Sequence, residues 1–331
     1  MLTTSAKGRA LDYNRVVGGR QFRGINYATA GLNNDVFILI RETYHSDILK
    51  VNIGPDIDDE EVLMSFSDTS KMDLKRSWPS CATFNGLNLL VTDELQNSIL
   101  IFSTDGELLD TIGSLGKGET EFNRPSGIAV DAANNMYVAD TLNHRIQKLS
   151  PTGSFIESWG KFGDADGSLN SPWGLCIDKD DFLYIADHKN HRIQKFSPDG
   201  NFVISFGNIG TRTETLNHPS DVSVDDSGDI YVADWVNDRI QIYDSHGIYV
   251  TSLTGSAVAL SKWQEQYVKA SPDVFKARRR VPSLEPETLF ALPTCVSFDD
   301  SKSRLLAVDS QRWRIQIFNK VSNYSDPQFN I

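Results

Sequence analysis

The chain has 331 residues, 40% of them hydrophobic, with a formal net charge of −12; that allows a sizeable core but is long for one domain unless the fold is repetitive. It has no run of 18 apolar residues to span a membrane, no apolar signal-peptide core in residues 1–9, and only three cysteines, Cys81, Cys176 and Cys295, which together point to the cytoplasm. A chain this acidic lacks the broad positive surface that phosphate backbones require, so neither a nucleic-acid partner nor a membrane partner is expected.

In chain order, 12–19 reads as a strand that precedes anything it could pair with locally. A degenerate four-strand unit follows, with 24–28, 35–40 and 48–51 as its first three strands. Its acidic stretch 56–61 reads as a solvated turn, because a calcium loop would need finer spacing and a glycine at the bend. A second unit runs over 79–113. Three near-copies come next. The first is Pro125-Ser126-Gly127-Ile128, Met136-Tyr137-Val138-Ala139-Asp140 and Asn143-His144-Arg145-Ile146-Gln147. The second reads Pro172-Trp173-Gly174-Leu175, Leu183-Tyr184-Ile185-Ala186-Asp187 and Asn190-His191-Arg192-Ile193-Gln194. The third reads Pro219-Ser220-Asp221-Val222, Ile230-Tyr231-Val232-Ala233-Asp234 and Asn237-Asp238-Arg239-Ile240-Gln241. Asp93, Asp140, Asp187 and Asp234 stand 47 residues apart, a spacing that marks a repeat architecture.

Each unit holds four short β-type runs, in the first copy 127–131, 136–140, 145–150 and 154–159, with Ser150-Pro151-Thr152-Gly153 as a turn. The step from Asp234 to Asp309 is 75 residues, 28 more than the period. The excess reads as a helix over 257–270, with Leu260, Trp263 and Tyr267 on one face, and a second over 272–280 with proline in its first turn. Long structured connections tend to be functional, so this insertion, about 255–290, is expected to lie as a lid over one mouth of the ring. The last unit, 293–318, supplies three strands. The early strand 12–19 would complete it, which removes two open sheet edges. The tail 319–331 is polar and is expected to pack loosely. The fold expected is all-β: a six-bladed β-propeller of four-stranded antiparallel blades, one domain over 1–331, closed by its N-terminal strand and carrying one helical insertion.

The Asn-His-Arg-Ile signatures at 143–146 and 190–193 make the chain resemble the NHL repeat family. The resemblance is strong over 78–253, fair over 293–320 and weak over 12–60. It implies that the loops entering the inner strands and the loops joining second to third strands open on one face. The amidating-lyase branch of that family places a catalytic arginine after the second strand of the first blade, where Arg41 stands. That branch also holds zinc with histidines at the starts of inner strands. Ser126, Trp173 and Ser220 occupy such positions here and cannot supply a zinc site. That activity is therefore rejected, no residue is assigned to a metal, and no cofactor is named.

Residues that recur in every unit should serve the blade: the repeat aspartates and the arginines five residues later. Positions that face the mouth but differ between units cannot be demanded by the repeat. After the repeat aspartate these are Glu94, Thr141, His188, Trp235 and Ser310, with Arg41 in the first unit. Around the proline they include Tyr27, Cys81, Arg124, Trp173, His218, Asp221 and Cys295. The cysteines read as channel packing, and His188 with His191 as unsuited to a metal. Two functions follow. In the first, a small polar or aromatic ligand enters a lidded funnel and meets a lyase- or hydrolase-type enzyme. There Arg41 steadies negative charge, His188, Asp221 or Glu94 moves a proton, and Tyr27, Arg124, Trp173, His218, Trp235 and Trp263 bind substrate. In the second, the same face is a non-catalytic scaffold for a protein partner, since many propellers only bind.

Overall fold

The computed structural model describes residues 2–43, 45–69 and 77–325. Six antiparallel sheets stand in a ring, and the inner strand of each packs on the inner strands of its two neighbours. The inner strands are Ile25–Ala30, Pro79–Phe84, Pro125–Val130, Pro172–Ile177, Pro219–Val224 and Pro293–Asp299. The second strands Met136–Asp140, Leu183–Asp187 and Ile230–Asp234 are buried along their whole length. Both of their faces meet a neighbouring blade, which explains why these segments are continuous apolar runs.

The N-terminal strand closes the ring as expected. It runs from Arg9 to Gly18 and pairs antiparallel with Arg314–Lys320, from Leu11 opposite Lys320 to Gly18 opposite Arg314. A further strand, Thr3–Ala6, pairs on its outer edge and makes this blade five-stranded. Its short, polar sequence carries little strand signal. Part of the tail is strand rather than loose packing, since the last blade strand continues to Lys320; 326–331 lie outside the described residues.

The recurring residues form one hub in each of four blades. Asp187 has no solvent exposure. It accepts from Asn170 N at 2.7 Å, Asn190 Nδ2 at 2.8 Å, Arg192 Nε at 2.9 Å and Gln194 Nε2 at 3.0 Å. Arg192 Nη2 then donates to the carbonyls of Ala165 and Ser168. Asp140, Asp234 and Asp309 repeat the arrangement with Arg145, Arg239 and Arg314 at 2.7–2.8 Å. Each hub ties the second and third strands to the loop that enters the inner strand.

The signature histidine has a separate task. Asn97, His144, His191 and Asp238 each sit at positive φ and reach into the next blade. They accept from the backbone N–H of Arg124, Ser171, His218 and Leu292 at 2.7–3.1 Å. These bonds join blade to blade.

The insertion departs from expectation. Its first helix runs Lys262–Ala270 and starts five residues later than 257, because Ser261 caps it by accepting from Gln264 N at 3.1 Å. A second helix spans Pro272–Arg278 and a short third Glu285–Thr288. Leu260 thus precedes the helix rather than sharing a face with Trp263 and Tyr267. Trp263 packs edge-on against Phe22, with ring centres 5.5 Å apart, and Ser261 Oγ donates to Gly18 O. Tyr267 donates no stacking to the mouth either; Arg20 lies over its ring at 4.0 Å. The helix therefore clamps the seam where the ring closes.

Replacing Asp187 with alanine would leave four donors without their acceptor, one of them a guanidinium. The variant is expected to lose about 3–5 kcal/mol in chemical denaturation. A loss below about 1 kcal/mol would show that the hub does not hold the blade.

Candidate functional site

One end of the ring opens as a funnel of about 450 Å³. Both classes of loop reach it, and the residues that differ between blades meet there. Tyr27, Arg41, Glu94 and Arg124 line it from one side, and Trp173, His188, Asp221 and Trp235 from the other. His218 lies just behind His188, and Trp263 is not brought to the funnel. No residue of 255–290 lines it, so the expected lid is replaced by a clamp on the seam, and the mouth is left open.

The first wall is ionic. Arg41 Nη1 donates to Glu94 Oε1 at 2.7 Å, and Arg124 Nη2 donates to Glu94 Oε2 at 2.6 Å. Ser80 Oγ also donates to Oε1, at 2.7 Å. Both guanidinium groups lie over Trp78, 5.1 and 5.7 Å from its ring centre. Glu94 was expected to move a proton. Its two oxygens are instead taken up by charged donors, so it fixes the arginines in place.

The second wall is aromatic. Trp173 stacks on His188 with ring centres 3.7 Å apart and planes 14° apart, and Trp235 is tilted 5.7 Å from Trp173. His188 is nearly unexposed, and its Nδ1 donates to Pro219 O at 3.1 Å in the neutral tautomer. Burial pushes its pKa down to about 3, with neighbouring His218, His191 and Lys189 adding to the drop. A ring so hard to protonate is a weak base, so His188 serves as the backing of Trp173 rather than as the proton carrier expected. His218 supports it from behind at 4.9 Å and is itself held down in pKa by burial and Lys189.

The floor is a ring of one residue per blade at the same inner-strand position: Tyr27, Cys81, Gly127, Gly174, Asp221 and Cys295. A Cβ at Gly174 would meet Asp221 Oδ1 at 2.1 Å, so only glycine there leaves room for that carboxyl. Asp221 is 2% exposed. Its Oδ2 accepts from Val296 N at 3.0 Å, while Oδ1 is buried without a protein partner among the described residues. Burial pushes its pKa up to about 7. The groups around it stay neutral: burial raises Cys81 to about 12 and carries Cys176, Cys295 and Tyr27 well above their usual ranges. Cys81 and Cys295 are free thiols that donate to Ile128 O and Ala28 O, which is channel packing as expected.

Trp78, Ser80 and Lys189 were missed. Trp78 and Arg124 hold the same place, one residue before the inner-strand proline, so the signal for Trp78 was present in the repeat. Among the described residues, no group of three or more His, Cys, Asp or Glu side chains is placed to hold a metal ion. None of the described helices is long and apolar enough to cross a membrane.

The NHL repeat model matches residues 169–196 and 216–243, and a model described as a 6-bladed beta-propeller matches 81–159. No curated protein matches the sequence. Among solved structures, the chain is similar to a Bacteroides thetaiotaomicron structural-genomics protein of unknown function, with 16% identity and TM-score 0.62 over 94% of this chain and 73% of that one. It is similar to a catalytically inactive virginiamycin B lyase from Staphylococcus aureus with quinupristin, with 15% identity and TM-score 0.60 over 96% and 100%. A streptogramin B lyase follows at 12% identity and TM-score 0.53 over 95% and 88%. At these identities the likeness is one of fold. The chain carries NHL repeats within a six-bladed β-propeller.

Asp221 binds its proton more tightly folded than unfolded. Its favourable contribution is complete below about pH 4 and is lost as pH rises toward 7. Raising a carboxyl from an ordinary 3.8 to about 7 corresponds to at most about 4 kcal/mol. Asp221→Asn is therefore expected to match the native protein in urea denaturation at pH 4 and to exceed its stability at pH 8. Equal stability at both values would contradict a carboxyl buried with one oxygen unpaired.

Proposed function

We propose that the chain binds a small polar or aromatic molecule in this open funnel and acts there as a lyase- or hydrolase-type enzyme. The observation that carries the reading is Asp221: a buried carboxyl with one oxygen unpaired, at the floor of a cavity lined by groups the repeat does not require. A carboxyl that titrates near neutral pH suits general acid–base work. In the lyase form, ionised Asp221 takes a proton from the carbon beside the bond that breaks. The electron pair of that C–H bond forms the new double bond, and the leaving group departs with the bonding pair. Arg41 steadies the negative charge that develops. Trp173 and Trp235 hold the flat part of the substrate. The lyases of like fold support this reaction class by analogy only.

A second reading, a scaffold for a protein partner, draws on one observation: the insertion leaves the mouth uncovered.

A metabolite screen by thermal shift separates the two. The enzyme reading expects a small-molecule shift that Trp173→Ala removes. It also expects Asp221→Asn to keep the shift while turnover falls about 10²–10⁴-fold. The native rate should rise with pH through about 7 and then level off, because the ionised carboxylate is the base. A shift that survives Trp173→Ala, or turnover that survives Asp221→Asn, would refute the placement of the site.

A further inference from the structure

The charge of the funnel runs against the charge of the chain. The whole protein carries −12. The funnel wall presents three cationic side chains, Arg41, Arg124 and Lys189. Against them stands one carboxylate, Glu94, already shared by both arginines. Asp221 holds its proton up to about pH 7, His188 is neutral, and the thiols and Tyr27 at the floor are neutral as well. The cavity is therefore a positive hole in an acidic protein.

The two guanidinium groups are also arranged in advance. A guanidinium has five N–H donors. Arg41 spends Nη1 on Glu94 and Ser80, and Arg124 spends Nε and Nη2 on Glu94. The remaining N–H groups have no acceptor among the described residues. Trp78 lies against both planes, and Glu94 ties the two together. Little side-chain freedom is left to lose when an anion arrives, and planar guanidinium suits carboxylate and phosphate oxygens. Opposite, Trp173, backed by His188 and flanked by Trp235, lines the cavity and offers indole surface to a ring.

We infer that the molecule this funnel takes is an aromatic anion, with its ring against Trp173 and a carboxylate or phosphate arm at Arg41 and Arg124. This rests on the funnel being the binding site.

The test uses four probes with one ring: phenylacetate, phenyl phosphate, 2-phenylethanol and 2-phenylethylammonium, titrated into the full chain by calorimetry at neutral pH and low salt. Both anions, or one of them, should bind at least about tenfold more tightly than the alcohol, the effect of one charge-assisted contact. The ammonium should bind weakest. The advantage should shrink in Arg124→Gln, which leaves Arg41 and Lys189 in the wall, and shrink with added salt, while alcohol binding changes little in that variant. The better anion tells carboxylate from phosphate. Trp173→Ala should weaken all four. If the alcohol or the ammonium binds as well as the anions, and Trp173→Ala still weakens every probe, the site stands and the anion inference fails. If the full anion preference survives both substitutions undiminished, the funnel is not the site and both readings fail. If no probe binds at millimolar concentration, the inference is overturned.

Discussion

The structure depends on a carboxylate that never meets water. Asp140, Asp187, Asp234 and Asp309 have no solvent exposure, and each is paired with an arginine and with amide donors from the loop entering its own blade. A buried charge is tolerated only when its lone pairs are satisfied, so this position leaves little freedom for change. It also fixes the next residue in the chain at the rim of the mouth. That next residue is Thr141, His188, Trp235 or Ser310, with Glu94 after the equally buried Asp93 and Arg41 after Ile40 in blade 1, and nothing in the hub constrains its type. The blade is thus built by what repeats, and the mouth is decorated by what does not.

The same division holds at the floor. Six equivalent inner-strand positions carry a tyrosine, two thiols, two glycines and one carboxyl. The small residues are coupled to the carboxyl by space, since a side chain at Gly174 would occupy the place of Asp221 Oδ1. Burial with one oxygen unpaired works against folding once the carboxyl ionises, which is the pattern expected where a protein trades stability for a functional group. Blade 1 goes further. Ile40 pairs with Ile25 where other blades pair the repeat aspartate with proline, so that blade has no hub carboxylate. It adds Arg41 to the mouth instead.

Much of this was legible in the sequence. The 47-residue period, the four runs per unit and the orphan strand near the N-terminus determine the number of blades and how the ring closes. Comparison of the copies singles out Arg41, Arg124, Trp173, Trp235 and Asp221, and the structure brings them together. What failed depended on contacts that periodicity does not carry. Glu94 could not be seen as saturated, because its partners Arg41 and Arg124 lie on two other blades. His188 could not be seen as a weak base, because its burial under Trp173 is a matter of packing. The insertion read as a lid because its helices were visible while their docking surface was not; Phe22 and Gly18, against which it packs, lie some 240 residues earlier in the chain. Ser261 as a cap was visible in principle and would have corrected the helix start.

The chemistry of the funnel depends on a floor carboxyl that burial has set apart from the paired ones. Carbon-13 NMR of the aspartate side chains, with Asp221 assigned by difference against the asparagine variant, measures this directly. A titration midpoint near 7 is the result this structure predicts. A midpoint in the ordinary carboxylate range, about 4, would mean that water or a partner reaches Oδ1, and the floor would then be a channel wall with no chemistry of its own.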